Sequence, residues 1–132
     1  PSTGVATILQ SGDGGVNWVP RETDSANPLF AVAHGGTTAH VAGAVSTLLR
    51  SSDGTTFALA NPATTNALFA VEILDANRAL AAGAIGALAR TDDGGRTWSR
   101  VESGTTDSLF AIDAVDAQRV WVAGDFGLVL RS

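Results

Sequence analysis

The sequence predicts an all-β chain of short antiparallel strands, and three observations carry that prediction. The first is an internal repeat. Asp13-Gly14, Asp53-Gly54 and Asp93-Gly94 are spaced 40 and 40, and Leu-Phe-Ala triplets that start at Leu29, Leu68 and Leu109 are spaced 39 and 41. Gly43, Gly83 and Gly124 recur at nearly the same interval, as do Arg50, Arg90 and Arg131. The second is a period-two apolar pattern bounded by turn residues, which is the pattern of strands rather than helices. The third is the shortness of the connections. Stretches of two to nine residues cannot hold a crossover helix, so neighbouring strands run antiparallel. Four such strands in each unit of about 40 residues make a β-propeller blade.

The elements follow in order. Val5 to Gln10 reads as the third strand of a blade, and its fourth strand lies around Trp18. First strands start at Leu29, Leu68 and Leu109; both their faces are apolar or small, which suits a strand sandwiched between neighbouring sheets. Second strands are His40 to Gly43, Ala79 to Gly83 and Val120 to Ala123. Third strands end at Arg50, Arg90 and Arg131, and fourth strands lie around Phe57 and Trp98. The units are therefore 1–28 (third and fourth strands only), 29–67, 68–108 and 109–132 (first three strands only). Three first strands are too few to encircle an axis, since natural rings need about four to eight blades. The chain reads as an excerpt of a longer propeller or as a unit that closes head-to-tail with copies of itself. In the second case a dimer with six blades is favoured over a trimer with nine.

Composition narrows the partners. The chain has 132 residues, 45% of them apolar and 16% charged, with a net charge of −5. All eight cations are Arg. An acidic balance argues against a nucleic-acid or anionic-membrane surface. The absence of Cys excludes disulfides, thiolate metal sites and Cys nucleophiles. The longest uncharged small-apolar stretch, the eleven residues Ala79 to Ala89, is too short to span a bilayer, so no membrane insertion is expected. No leader pattern opens the sequence.

The acidic turns carry a resemblance. Ser11-Gly-Asp13-Gly-Gly15-Val-Asn-Trp18 and Thr91-Asp-Asp93-Gly-Gly95-Arg-Thr97-Trp98 resemble Asp-boxes, and Ser51-Ser-Asp53-Gly-Thr-Thr-Phe57 resembles a shortened copy. Arg131-Ser132 looks like the opening of a further box. Over essentially the whole chain the units resemble bacterial neuraminidase (BNR) repeats, and most of all the photosystem II assembly/stability factor-like propeller repeats. The resemblance implies boxes that close the turn between third and fourth strands, a binding scaffold rather than an enzyme, and an exported protein. In such a box the Asp accepts hydrogen bonds from its own turn, Gly supplies positive φ, and the aromatic packs over the hairpin. Each turn offers one or two carboxylates, short of the six or more oxygens that calcium takes. No metal and no cofactor is expected.

The remaining candidates are weighed one by one. In sialidases, which share these boxes, the resemblance implies a Tyr–Glu nucleophile pair; this chain has no Tyr, so no catalytic residue carries over. Glycoside hydrolysis needs two facing carboxylates, and Glu72 and Asp113 share a register position in successive units. They read as exposed strand-end acids, with a carboxylate pair as the alternative. His34 and His40 flank the first-to-second strand connection and read as solvated loop residues, with a two-ligand metal site as the alternative. Trp121 is set against Ala42 and Ala82 and reads as filling a gap between blades. Propellers bind through loops gathered at one end. Here the fourth-to-first strand loops and the second-to-third strand turns share an end, opposite the boxes. They offer Arg21, Asp24, Asn61, Asn66, Glu102, Asp107, Asp125 and Phe126 as the candidate binding face. The expected function is a non-catalytic propeller scaffold that binds a protein or small ligand through that face. The alternatives are scaffold blades of a glycoside hydrolase whose catalytic residues lie elsewhere, and a secreted adhesion or lectin-like propeller.

Overall fold

The computed structural model describes residues 7–23, 27–35, 38–53, 57–61, 64–75, 77–116 and 118–131. Asp24 and Ser132, both singled out above, lie outside the described residues. Thirteen strands form four antiparallel sheets, and no α-helix occurs among the described residues. The first sheet is β1 (Thr7–Gln10) with β2 (Val19–Glu22). The second is β3 (Leu29–Gly35), β4 (Thr38–Gly43), β5 (Thr47–Ser51) and β6 (Ala58–Leu59), in that order. The third repeats this with β7 (Leu68–Ile73), β8 (Ala79–Gly83), β9 (Leu88–Thr91) and β10 (Ser99–Arg100). The fourth holds β11 (Leu109–Ala114), β12 (Val120–Gly124) and β13 (Val129–Arg131). Fourth strands thus begin just after the turn aromatic rather than around it.

The sheets stack face to face like a fan. Because successive side chains alternate across a strand, each inner sheet presents one apolar set to each neighbour. Ala39, Val41, Leu49 and Phe57 of the second sheet pack with Ile8 of the first. Ala42 and Leu48 of the second meet Val71, Ala79, Ala81, Ala89 and Trp98 of the third. Leu80, Ala82 and Leu88 of the third meet Leu109, Val120 and Val122 of the fourth. The first strands β3, β7 and β11 pack against one another along the inner edge. The many Ala residues follow from this, since small side chains let stacked sheets approach closely.

Two local devices recur. Each first strand carries an irregularity one residue in: Leu29 pairs with Gly43 and Ala31 with Ala42, which leaves Phe30 as the extra residue. The same holds for Phe69 and Phe110. A bulge of this kind re-aims the extra side chain. Just before it, the carbonyls of Pro28, Ala67 and Ser108 accept from the N–H groups of Ala44, Ala84 and Asp125 at 2.9 Å each. A Cβ on Gly43, Gly83 or Gly124 would collide with those carbonyls. Glycine at this register is required by the close approach of the incoming chain.

Candidate functional site

The acidic turns are built alike. Ser11 Oγ donates to Asp13 Oδ1 at 2.8 Å and accepts from the Gly15 N–H at 2.8 Å. Asp13 Oδ1 accepts from the N–H groups of Val16 (3.1 Å) and Asn17 (2.9 Å), and the Asn17 side chain donates to Oδ2 at 2.8 Å. In the third sheet Thr91, Asp93, Gly95 and Thr97 make the corresponding bonds, the Thr97 hydroxyl taking the part of the Asn17 amide. Ser51 donates to Asp53 at 3.2 Å. These bonds favour the carboxylate form. The backbone and side chain of Asn17, then Ser11, lower Asp13 to about 2. The hydroxyl and backbone of Thr97, then Thr91, hold Asp93 well below the usual carboxylate range. Both carboxylates spend their lone pairs inside their own turns.

Two of the turn aromatics, Phe57 and Trp98, face the preceding sheet. Trp98 is 7% exposed and packs across onto the second sheet, where it meets the His40 ring edge-on at 5.5 Å and 86°. Phe57 is buried toward the first sheet. Trp18 is 56% exposed, although its Nε1 still donates to Gly15 O at 3.0 Å. Arg50 adds a bond across the second interface, from Nε to Gly94 O at 2.6 Å.

Two sequence expectations are corrected here. His40 is not a solvated loop residue: it lies in β4, 2% exposed, with its Nδ1 buried and unpartnered among the described residues. Burial first, and the Arg50 charge second, push its pKa down to about 4. His34 pairs with Ala39 and is exposed, so the two imidazoles sit on opposite faces of the hairpin. Trp121 does not stand at the Ala42 and Ala82 register. It pairs with Arg131, as His40 pairs with Arg50 and Leu80 with Arg90. It lies exposed on the outer face of the fourth sheet with the Arg131 guanidinium 5.8 Å from its ring. A cation over a ring face at that range is attractive.

Glu72 and Asp113 stand opposite Leu80 and Trp121 on the adjacent inner strands β7 and β11. Among the described residues no hydrogen bond or ion pair engages either. No group of three or more His, Asp or Glu among the described residues is placed to hold a metal. None of their helices is long and apolar enough to cross a membrane.

The candidate binding-face residues divide. Arg21 is in strand β2, not a loop, and its Nε donates to Gln10 Oε1 at 2.8 Å. Asn61 is exposed, and the Asn66 N–H donates to Thr64 Oγ1 at 3.2 Å. Glu102 and Asp107 sit in the 101–108 loop, which folds over the Ala84–Gly86 turn: Ser103 Oγ donates to Gly86 O at 2.8 Å, and Ile85 N–H to Ser108 Oγ at 3.4 Å. Asp125 and Phe126 occupy the next such turn, and Phe126 is 93% exposed.

Sequence reasoning placed the second-to-third strand turns but missed their conformation. Each second-to-third strand turn closes with two successive left-handed residues: Val45 and Ser46 (φ 55° and 54°), Ile85 and Gly86 (57° and 69°), Phe126 and Gly127 (58° and 74°). This is the type I′ hairpin geometry, which favours Asn-Gly. The gap of two residues between strand patterns was the available signal. The apolar apex residues hid it.

No protein-family model matches the sequence, and no curated protein matches it. Solved structures do. YCF48 from Cyanidioschyzon merolae superposes with a TM-score of 0.79 at 23% identity, over 95% of this chain and 44% of that one. A structure titled YCF48 bound to D1 peptide superposes with a TM-score of 0.63 at 18% identity, over 96% of this chain and 56% of that one. The chain spans about half the length of the structures it matches. The fold is that of a β-propeller segment resembling the photosystem II assembly factor YCF48.

Proposed function

We propose that this chain is a non-catalytic propeller scaffold that binds a protein segment through the end of the sheets bearing the 101–108 loop and the type I′ turns. The observation that carries this reading is the likeness to a YCF48 structure that holds a peptide. The division of labour between the two ends supports it. At the box end, Asp13 and Asp93 are spent on their own turns. Asp75 and Asp116 hold Arg78 and Arg119 at 2.6 and 2.8 Å. At the other end Phe126 projects into solvent with nothing packed on it. Binding of a labelled D1 peptide to the full chain, read by fluorescence anisotropy, tests the reading. The expected result is binding that Phe126→Ser weakens and Arg96→Ala at the box end leaves intact. Absence of binding, or loss only in the box-end variant, overturns it.

The units 29–67 and 68–108 act in this reading as whole blades and the terminal units as part-blades. The open flanks favour closure with further blades, from a longer chain or from a second copy. Trp18 and Leu9 are exposed on one flank and Trp121 and Val129 on the other. Exposed apolar faces of this kind mark surfaces that are covered in the working state. Sedimentation of the full chain distinguishes the routes: a dimer supports six blades from two copies, and a folded monomer removes self-closure.

A further inference from the structure

We infer that the occupant of this end is an extended protein segment carrying both apolar and basic side chains. The inference rests on the binding end proposed above and names the chemistry that end selects. Three rings form a ladder along its inner rim. Phe30, Phe69 and Phe110 are the extra residues of three successive bulges, with ring centroids 5.7 and 5.1 Å apart. Phe30 and Phe110 remain about half exposed. At the same end stand the turn apices Val45 (68% exposed), Ile85 (61%) and Phe126. These are exposed apolar side chains held in a backbone region that β-branched and bulky residues avoid. Strain kept at exposed, repeated positions is the pattern of a site shaped for contact.

The charge of this end sets the second requirement. Glu102 and Asp107 lie in the 101–108 loop and Asp125 in the turn beside Phe126. None of the three forms an ion pair among the described residues. At the opposite end Asp75, Asp92 and Asp116 are matched by Arg78, Arg90 and Arg119. Arg90 and Arg131, which line one groove with Glu102, are already engaged, Arg90 by Asp92 and Arg131 over the Trp121 ring. Apolar rungs with an unmatched negative rim complement a segment that supplies apolar side chains and Lys or Arg. The same rim repels an anionic bilayer.

Two synthetic peptides of about ten residues, long enough to cross three rungs, provide the test on the full chain. One alternates Leu and Phe with Lys and Arg; the other replaces the basic residues by Glu. The expected result is binding of the basic peptide, about tenfold weaker in Phe126→Ala, with its salt dependence lost in Glu102→Gln/Asp107→Asn/Asp125→Asn. Thermal melts identify any variant that fails to fold, and Phe69→Ser supplies an independent variant on the ladder. Equal binding of both peptides, still sensitive to Phe126→Ala, overturns the charge inference and leaves the binding end standing. Binding that neither Phe126→Ala nor Phe69→Ser changes overturns both. No binding of either peptide overturns the inference, with the D1-peptide measurement judging the end itself. Sedimentation with neutral phosphatidylcholine vesicles that Phe126→Ala abolishes assigns the patch to lipid and overturns it as well.

Discussion

The interface between the second and third sheets and the one between the third and fourth are built from the same repeat, yet one is sealed and the other open. In the first, Trp98 fills the gap beside Ala42 and Leu48, the His40 ring meets its edge, and Arg50 reaches across to Gly94 O. In the second, no described turn aromatic fills the gap, and a groove of about 300 Å³ remains among Leu80, Leu88, Val120, Val122 and Leu130. Arg90, at the Arg50 register, folds back onto Asp92 at 2.9 Å. The difference teaches what the acidic turn does: it carries an aromatic and a carbonyl from one sheet onto the preceding one. The fourth sheet has no described turn of this kind to offer the third. The first sheet has such a turn, and its Trp18 lies exposed, with no described sheet packed on it.

The largest expected effect breaks the sealed interface. Trp98→Ala empties a buried site and costs about 3 to 5 kcal/mol, whereas Trp18→Ala, at an exposed ring, costs about 1 kcal/mol or less. Urea unfolding of the two variants checks this. Equal losses would mean that the aromatics stabilise their own turns rather than the stacking of sheets. Arg50→Ala comes next, at about 1 to 3 kcal/mol for a charge-assisted bond to a part-buried carbonyl. Arg90→Ala removes only an exposed pair, worth about 0 to 1 kcal/mol. A loss for Arg90 that matches Arg50 would show that the arginines act within their own sheets.

Much of this was legible in the sequence. The repeat, the strand order and the position of the turns follow from Asp13, Asp53, Asp93 and the Leu-Phe-Ala triplets, because period-two patterning and turn chemistry are local signals. Three features were missed. His40 occupies an apolar register position, and nothing local shows that Trp98 of the next unit covers it. Trp121 was set against the wrong neighbours although the last two triplets and the last two glycines are both 41 apart, which already puts it at the Leu80 register; the pairing with Arg131 fixes it. The left-handed apices at Val45, Ile85 and Phe126 contradict local propensity, so a propensity rule misses them, and such conflicts gather where function overrides stability.

A graded effect sharpens the comparison through His40. Its imidazole takes a proton near 6.5 in the unfolded chain but only near 4 in the folded one. The unfolded state therefore binds more protons between these values, and stability falls as pH is lowered through that window. Above it the residue is neutral in both states and contributes no slope. The Asp13 and Asp93 turns lose their contribution lower still, as pH falls below the ordinary carboxylate range toward their depressed values. Unfolding midpoints from pH 7 to pH 4 should decline, and His40→Leu should flatten that decline. In Trp98→Ala the slope should also shrink, because water reaches the ring. A slope that survives in both variants would place its source outside the sealed interface.

The smallest effect separates turns from interfaces. Val45 belongs to the second sheet and Ile85 to the third, and both apices are exposed at nearly the same left-handed φ, 55° and 57°. Neither side chain seals anything, so the difference between the interfaces should not reach them. Val45→Gly and Ile85→Asn relieve the clash of a β-branched residue with its own backbone and should each raise stability by about 1 kcal/mol. Equal gains keep the contrast where the packing places it, at Trp98 and Arg50. A gain at Val45 without one at Ile85 would mean that the 101–108 loop, bonded to Gly86 O and the Ile85 N–H, braces the turn of the third sheet and offsets its strain. The same substitutions should weaken partner binding, since the strain is retained for the apolar side chain that each apex presents. A variant that is more stable and binds as well as the parent would leave the strained apices without a functional reason.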